Sequence, residues 1–273
     1  MTQNLILGDK ENRLLLTLEE NKIEIFTFED AQKILQSSIP SVKNILFSLT
    51  RKNCIQRIER GKYLLVPAKA GYGKEWTEEP WIIVPNLINQ YYVGFWTAMN
   101  YWGMTEQIPY TVFVVTTKRK RNLKFGYQKF QFVTLSKTKF FGFIEETRGK
   151  TKFNISTKEK TIVDGLMYPQ YCGKISEVAK AMWNSRKEIN WEIVFEMVKK
   201  IGLSVVLRRL GYLLTILEIK DDTDNLIDII KRERFKGYHF LDPTESRKRL
   251  DYSKEYGLII NRTRNELLGW MKY

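Results

Sequence analysis

The first 67 residues contain the pattern that most restricts the fold, a helical stripe followed by two short strand-like runs. Four apolar residues recur at helical spacing after the turn at residues 37–40: Val42, Ile45, Leu46 and Leu49. Residues 54–58 and 62–66 then have strand composition, and the Gly61 loop between them is typical of a β-hairpin. The pattern predicts one amphipathic helix packed against a hairpin.

Two further helices are predicted upstream of this unit. Residues 11–18 carry leucines at helical spacing, and Thr27 with Asp30 forms a capping-box pattern at the start of a second helix. Three helices followed by a hairpin is the order of a winged helix-turn-helix. We therefore predict an α+β chain with such a domain over residues 1–67, a Pro- and Gly-containing linker over 68–80, and a larger mixed α/β domain over 81–273.

The second domain is predicted to mix strands and helices. Strands are expected at residues 81–84, 110–117, 130–135, 140–144 and 256–260. Helices are expected at residues 91–102, 156–167, 175–184, 191–201 and 203–219. The helix at 156–167 begins with Ser156 and has Glu159 three residues later, which is a capping box.

The polar face of the predicted third helix suits the reading of DNA in the major groove. At about 100° per residue, Ser41, Asn44, Ser48 and Arg51 lie opposite the apolar stripe. Asn pairs with adenine, Arg with guanine, and Ser with a base or a phosphate. Five cations are assigned to the phosphate backbone or minor groove: Lys43, Lys52, Arg57, Arg60 and Lys62. A protein-interaction module with an ordinary solvated helix face is the alternative.

The net charge of +14 is unevenly distributed along the 273 residues. Residues 1–67 hold ten basic and eight acidic residues, but residues 31–67 hold seven basic residues and only Glu59. The remaining charge lies in the second domain, where residues 107–144 contain no acid. Six cations there form a candidate surface for a second anionic partner: Lys118, Arg119, Lys120, Arg121, Lys124 and Lys129. A solvated connecting loop is the equally plain alternative.

Catalysis is not expected from this sequence. It has no phosphate-binding glycine loop and no serine-nucleophile elbow, and one histidine and two cysteines support neither a zinc site nor a disulfide framework. We therefore expect no catalytic residue, metal or cofactor. Glu218-Ile219-Lys220 has a Glu-x-Lys form seen in some nucleases, but it lacks a preceding acidic partner. No apolar run is long enough for a membrane span, so a cytoplasmic protein is expected.

Several segments of the chain resemble the AbiEi family, the antitoxin half of the AbiE abortive-infection systems. The resemblance is carried by Arg60–Tyr63, Tyr92–Pro109, Ser156–Asp164, Tyr171–Lys174 and Arg208–Leu213. Lys160 stands where an arginine is commoner in the family. The likeness spans nearly the whole chain, and the segments at Thr105–Pro109 and Arg208–Leu213 are its more specific parts.

The resemblance implies a transcriptional autorepressor that binds operator repeats in double-stranded DNA and counters a nucleotidyltransferase-type toxin, directly or functionally. A homodimer on DNA is compatible with repeat binding, although the sequence shows no dimerisation heptad. In the second domain, consecutive Arg208 and Arg209 point about 100° apart, so at most one is expected to face the interior, where Asp164 is a candidate partner. A protein- or RNA-binding module remains the alternative function, and a nuclease is a remote one.

Overall fold

We describe a computed structural model of the chain, which covers residues 6–67, 79–219, 223–245 and 248–272. It divides into two compact units, one from the N-terminus to Leu87 with Leu123–Gln128, and one from Ile88–Asn122 with Lys129 onwards. The predicted linker at 68–80 lies largely outside the described residues. The architecture is mixed α/β with several sheets.

Within its described residues, the first unit contains four helices and a three-stranded antiparallel sheet. Its elements are α1 (Asp9–Glu20), β1 (Ile25–Thr27), α2 (Phe28–Leu35), α3 (Ile39–Arg51), β2 (Ile55–Glu59) and β3 (Lys62–Leu65), with α4 (Pro80–Leu87) following. The sheet order is β1-β3-β2. Its turn uses Gly61 at φ +76°, a conformation that glycine adopts without steric cost. Leu14, Phe26, Val42, Leu46 and Leu49 meet in one apolar core.

The capping box predicted for the second helix is confirmed. The Thr27 hydroxyl accepts the Asp30 N–H at 3.1 Å, and the Asp30 carboxylate accepts the Thr27 N–H at 2.9 Å. Backbone and side-chain hydrogen bonds from Thr27 lower the pKa of Asp30, against the opposing effect of burial. This exchange fixes the start of α2 directly after β1.

The second unit is organised around five strands of a mixed sheet, in the order β7-β5-β4-β9-β8. These strands are β4 (Tyr91–Val93), β5 (Thr111–Thr116), β7 (Gln128–Thr134), β8 (Phe143–Arg148) and β9 (Thr151–Ser156), whereas β6 (Leu123–Phe125) falls in the first unit. β5 pairs in parallel with β7 and antiparallel with β4, so Val114 lies beside Phe132 and Val93. A small second sheet has the order β10-β12-β11, from His239–Phe240, Leu258–Ile260 and Asp251–Ser253.

Helices supply most of the apolar core of this unit. They are α5 (Phe95–Tyr101), α6 (Lys158–Met167), α7 (Lys174–Asn184), α8 (Trp191–Ile201), α9 (Ser204–Ile216), α10 (Asp224–Arg232) and α11 (Arg264–Leu268). The α9 residues Leu210, Leu213 and Leu214 are fully buried in the same cluster as Val163, Val178 and Val194. Three-residue 3-10 turns lie at Lys137–Lys139 and Pro169–Tyr171.

Four local predictions were wrong. Residues 81–84 form part of helix α4, because a short run of four apolar residues does not distinguish strand from helix. Residues 91–102 form a strand and then a helix, which meet at Gly94, where a Cβ would lie 3.0 Å from the Tyr92 ring. Residues 140–142 precede β8 rather than belong to it. Ser156 ends β9, and α6 is capped instead by the Thr157 hydroxyl.

Candidate nucleic-acid interface

Helix α3 presents one apolar and one polar face. Pro40 near its start fixes a helical φ, and Val42, Leu46 and Leu49 are buried in the core of the first unit. The two side chains predicted to read bases, Asn44 and Arg51, are exposed, as is Lys43. Ser41 and Ser48 are half-buried. The predicted polar face is therefore solvent-accessible at its centre and partly packed at its margin.

Phe47 lies in the middle of the exposed face of α3, with 66% of its surface accessible. The Arg51 guanidinium carbon lies 5.9 Å from the centroid of its ring, one turn along the helix. Such a cation–ring contact restrains both side chains at little cost. The planar Arg51 guanidinium suits two hydrogen bonds to the edge of a guanine, and the neighbouring Phe47 ring suits contact with the methyl group of a thymine.

The last turn of α3 is held by a buried carboxylate of α1. Glu11 is 7% exposed, and its Oε2 lies 2.6 Å from Lys52 Nζ and 2.9 Å from the Gly8 amide nitrogen. Burial raises the pKa of Glu11, but hydrogen bonds from Lys52, Ser48 and Gly8 and the Lys52 charge outweigh it, so the pKa is lowered. Lys52 and Ser48, both predicted to contact DNA, thus form hydrogen bonds within the protein, with Glu11.

A groove beside α3 gathers three of the predicted backbone-contacting cations. It has a volume of about 550 Å³ and is lined by Phe28, Glu29, Lys43, Arg57, Arg60, Gly61 and Tyr63. Lys43 comes from α3, and Arg57 and Arg60 come from the hairpin. Glu29 is the one acid in this lining. The excess of positive charge suits an anionic group such as a phosphate.

Lys62 is positioned differently from the other hairpin cations. Its ammonium lies 3.2 Å from Glu59 and also donates to the Asn86 carbonyl oxygen. The Arg57 side chain donates to the Glu59 carbonyl oxygen at 3.4 Å. The structure therefore brings Lys43, Arg57 and Arg60 together and turns Lys62 toward partners within its own unit.

Sequence reasoning missed Glu11 and the two aromatic residues that line the groove, Phe28 and Tyr63. The signal for Glu11 was present, because Gly8-x-x-Glu11 at a helix start is a capping pattern, with the carboxylate bonded back to Gly8 N–H. Tyr63 stacks on Phe26 with ring centroids 5.6 Å apart, which explains why an aromatic stands in the hairpin. Phe28, the other aromatic residue of the groove lining, is the first residue of α2 and directly follows the capping residue Thr27.

The second basic stretch consists of exposed cations around β6 and β7. Among the six predicted residues, Lys118, Arg119, Arg121, Lys124 and Lys129 are exposed. Lys120 is half-buried, with its ammonium 5.4 Å from the centroid of the Phe132 ring. Phe130 is buried, whereas Tyr127 is exposed. On β7, exposed Lys129 is followed by buried Phe130, whereas Lys118, Arg119 and Arg121 lie in the connection before β6.

Lys160, Asp164 and Tyr92 form a fully buried polar cluster in the second unit. The Lys160 ammonium contacts Asp164 Oδ1 and lies 3.0 Å from the Tyr92 hydroxyl, which donates to Asp164 Oδ2 at 3.0 Å. All three side chains are fully buried. Burial raises the pKa of Asp164, although the Lys160 charge opposes the rise. The cluster is closed on itself, which is typical of a packing anchor.

Arg208 and Arg209 are both buried, and neither binds Asp164, so that prediction was wrong. Arg208 donates to the carbonyl oxygens of Gly237 and Gly257 at 2.7 and 2.8 Å and to that of Lys236 at 2.8 Å. Arg209 donates to those of Leu241, Leu166 and Phe240 at 3.0, 2.8 and 3.2 Å. Burial lowers the pKa of Arg209 to about 10. Both arginine side chains are buried because the small sheet covers a face of α9 that would be exposed in an isolated helix.

The Thr105–Pro109 segment has no regular secondary structure and is anchored through Thr105. The Thr105 hydroxyl donates to Glu177 at 2.5 Å and accepts the Gln107 N–H at 3.2 Å. Glu218, of the nuclease-like Glu-x-Lys, lies after α9 with φ +54°, and Lys220 lies outside the described residues. Within the ranges that the structure describes, His, Cys, Asp and Glu side chains form no group of three able to hold a metal ion.

Comparison with known proteins adds a fold likeness. No family model and no curated protein matches the chain. Among solved structures, the crystal structure of the RV2827C protein from Mycobacterium tuberculosis matches with a TM-score of 0.73, at 12% identity, over 99% of this chain and 97% of that one. Among the described helices, none has the length and apolarity needed to cross a membrane. At this identity, the likeness concerns the fold alone.

Proposed function

We propose that the first unit is a winged helix-turn-helix that binds double-stranded DNA, and that the chain is a transcriptional autorepressor. The element order α1, β1, α2, α3, β2, β3 supports this, with α3 as the recognition helix and the β2–β3 hairpin as the wing. The observation that carries the proposal is the groove beside α3, where Lys43, Arg57 and Arg60 converge.

The proposed division of labour follows from exposure. Asn44 and Arg51 project from the centre of the exposed face and are assigned to base edges, with Phe47 between them as an apolar contact. Lys43, Arg57 and Arg60 are assigned to phosphates, which fix the register of the helix in the groove. Lys52 supports the helix through Glu11 and is a positioning residue.

Binding to the DNA upstream of the chain's own gene tests this assignment. In fluorescence anisotropy, Arg51→Ala and Asn44→Ala are each expected to weaken specific binding about 5- to 150-fold, because a bidentate base contact is worth about 1–3 kcal/mol. Arg13→Ala is the matched control, since it removes one exposed cation of α1 in the same unit. Unchanged affinity in both α3 variants, or salt-insensitive binding by the wild type, would refute operator recognition.

We also propose an antitoxin role, in which the second unit counters a nucleotidyltransferase-type toxin. This rests on the AbiEi resemblance, whose more specific segments are Thr105–Pro109 and Arg208–Leu213; Thr105 is bound to Glu177, and Arg208 is bound to the Gly257 carbonyl oxygen. Co-expression with the adjacent gene product tests it. Rescue of growth by the full chain supports the role, and failure of rescue contradicts it whatever the outcome of the DNA experiment.

An interaction module without operator binding is the second candidate. The 66% exposure of Phe47 favours it, because a large apolar side chain at the centre of a helix face also suits a protein contact. Capture of the adjacent gene product that is lost in Phe47→Ala, with no binding of upstream DNA, distinguishes this function from the first.

A further inference from the structure

The small sheet of the second unit has an aromatic outer face. Paired residues of neighbouring strands project to the same side, so Phe240, Ile259 and Tyr252 form one row across β10, β12 and β11. Tyr238 and Leu250 lie two residues before Phe240 and Tyr252 and extend the same face. The alternate residues Leu258 and Ile260 point the other way, into the apolar core.

Two rings of this outer face are open to solvent. Tyr238 and Tyr252 are 48% and 45% exposed, and their centroids lie 5.5 Å apart at an interplanar angle of 86°. Leu250 is also exposed, whereas Ile259 is buried beneath its neighbours. The face therefore offers ring surface rather than a closed pocket.

Buried arginines of α9 hold this face in place. The three carbonyl oxygens bound by Arg208 belong to Lys236, Gly237 and Gly257, which immediately precede Tyr238 and β12. Arg209 binds the carbonyl oxygens of Phe240 and Leu241 at the other end of β10. The rings are thus attached to backbone that is fixed before any ligand arrives, which reduces the entropy lost on binding.

Positive charge dominates the segments that carry the rings. Six exposed cations flank them in the chain: Arg232, Arg234, Lys236, Lys248, Arg249 and Lys254. Of the nearby acids, Asp242 and Glu245 are bound by Arg262, and Glu255 lies 3.7 Å from Lys231. Glu233 and Asp251 are the other carboxylates of these segments. The charge complements a polyanion.

The geometry points to a single-stranded nucleic acid as the ligand of this outer face, with bases stacked on Tyr238 and Tyr252 and phosphates beside the flanking cations. A single strand is favoured over a duplex because open rings need unstacked bases, which a duplex keeps inside its helix. An acidic peptide would use the cations but would leave the rings without a stacking partner. The surface is separate from α3 and does not depend on operator binding.

Fluorescence anisotropy of the full chain with a labelled oligouridylate of about twelve nucleotides tests this assignment. Replacing both rings, Tyr238→Ala with Tyr252→Ala, is expected to weaken binding by roughly tenfold or more, because stacking on each ring is lost. Tyr238→Phe with Tyr252→Phe is the matched control and is expected to bind within about threefold of the wild type, since phenylalanine keeps the π-face. Both rings are half-exposed, so thermal unfolding of either double variant should match the wild type.

Two further arms separate the competing outcomes. An oligothymidylate of equal length distinguishes a preference for RNA from binding of either single strand, and either result supports the assignment. Upstream duplex DNA should bind the alanine variant as it binds the wild type. Equal oligouridylate affinity of the alanine variant and the wild type would overturn the inference. If polyglutamate also displaced all of the bound oligouridylate, the surface would bind anions through its cations alone.

Discussion

At the scale of single residues, the fully buried Lys160–Asp164 pair is the most sensitive point of the second unit. Removing one member leaves an unpaired charge in the core, so Asp164→Leu is expected to lower the free energy of unfolding by about 3–5 kcal/mol. Replacing both, Lys160→Met with Asp164→Leu, should restore most of that loss because no buried charge remains.

Urea denaturation of the three proteins measures these differences. Tyr92→Phe serves as a milder reference, since it removes the hydroxyl with its two hydrogen bonds, one to Asp164 Oδ2 and one from Lys160 Nζ, each at 3.0 Å, and should cost about 1–3 kcal/mol. If the double variant were as unstable as Asp164→Leu alone, the pair would be contributing favourable energy rather than avoiding a penalty.

Glu11 gives the first unit a dependence on acid pH. Its pKa is lowered from the ordinary value of 4.5 by the Lys52, Ser48 and Gly8 hydrogen bonds, which outweigh burial. A lowered folded-state pKa contributes stability above about pH 4.5 and loses it as pH falls through the folded value. Glu11→Gln should therefore be less stable than the wild type by about 1–2 kcal/mol at neutral pH.

Thermal unfolding between pH 7 and pH 3 provides the measurement. The gap between wild type and Glu11→Gln should close on acidification, and Glu20→Gln at the exposed end of α1 should show no comparable gap. A gap that stayed constant over this pH range would mean that Glu11 acts through packing alone.

At the scale of elements, helix α9 packs so closely against α10 and the turn between β11 and β12 that Gly211 has no room for a side chain. A Cβ at this position would lie 2.6 Å from the Tyr256 ring and 2.7 Å from Ile230. Gly211→Ala should thus destabilise the second unit by about 1–3 kcal/mol, although alanine favours helices by about 1 kcal/mol elsewhere. Ser204→Ala, exposed on the same helix, is the control in chemical denaturation, and a stabilising Gly211→Ala would contradict the packing.

Elements with a local signature were predictable, and those decided by distant partners were not. The apolar stripe of α3, the Thr27 cap and the Gly61 hairpin are each determined by residues close together in the sequence, and all three were predicted. The apolar run at 81–84 has no period that separates strand from helix. The burial of both Arg208 and Arg209 depends on carbonyl groups about 30 to 50 residues further along the chain, which no helical pattern reports.

The same limit applies to the candidate DNA interface. Its exposed centre, Asn44 and Arg51, follows from the helical period, since the opposite face is apolar. The partnership of Lys52 with Glu11 joins residues 41 positions apart and was invisible to that argument. Sequence reasoning therefore found the exposed helix face, but it did not show that Lys52 and Lys62 have partners within the protein.

At the scale of the whole molecule, the charge of +14 predicts a salt-dependent association with DNA. If Lys43, Arg57 and Arg60 each neutralise one phosphate, the slope of log K against log salt should fall by about 0.9 for each one replaced by alanine. Arg51→Ala should change sequence preference more than slope. Titrations between about 50 and 200 mM salt measure both quantities. An unchanged slope in the triple alanine variant would remove these cations from the interface.

The carbonyl bonds of Arg208 and Arg209 also determine where the chain tolerates shortening. A protein cut before Phe235 would lose five of the six acceptors of these guanidinium groups, together with the small sheet that covers this side of α9. The cut would also remove Leu241, Leu258 and Ile260 from the apolar core, at a cost of several kcal/mol. The last forty or so residues are thus a structural requirement of the second unit, and any divided or truncated version of this protein must keep them attached.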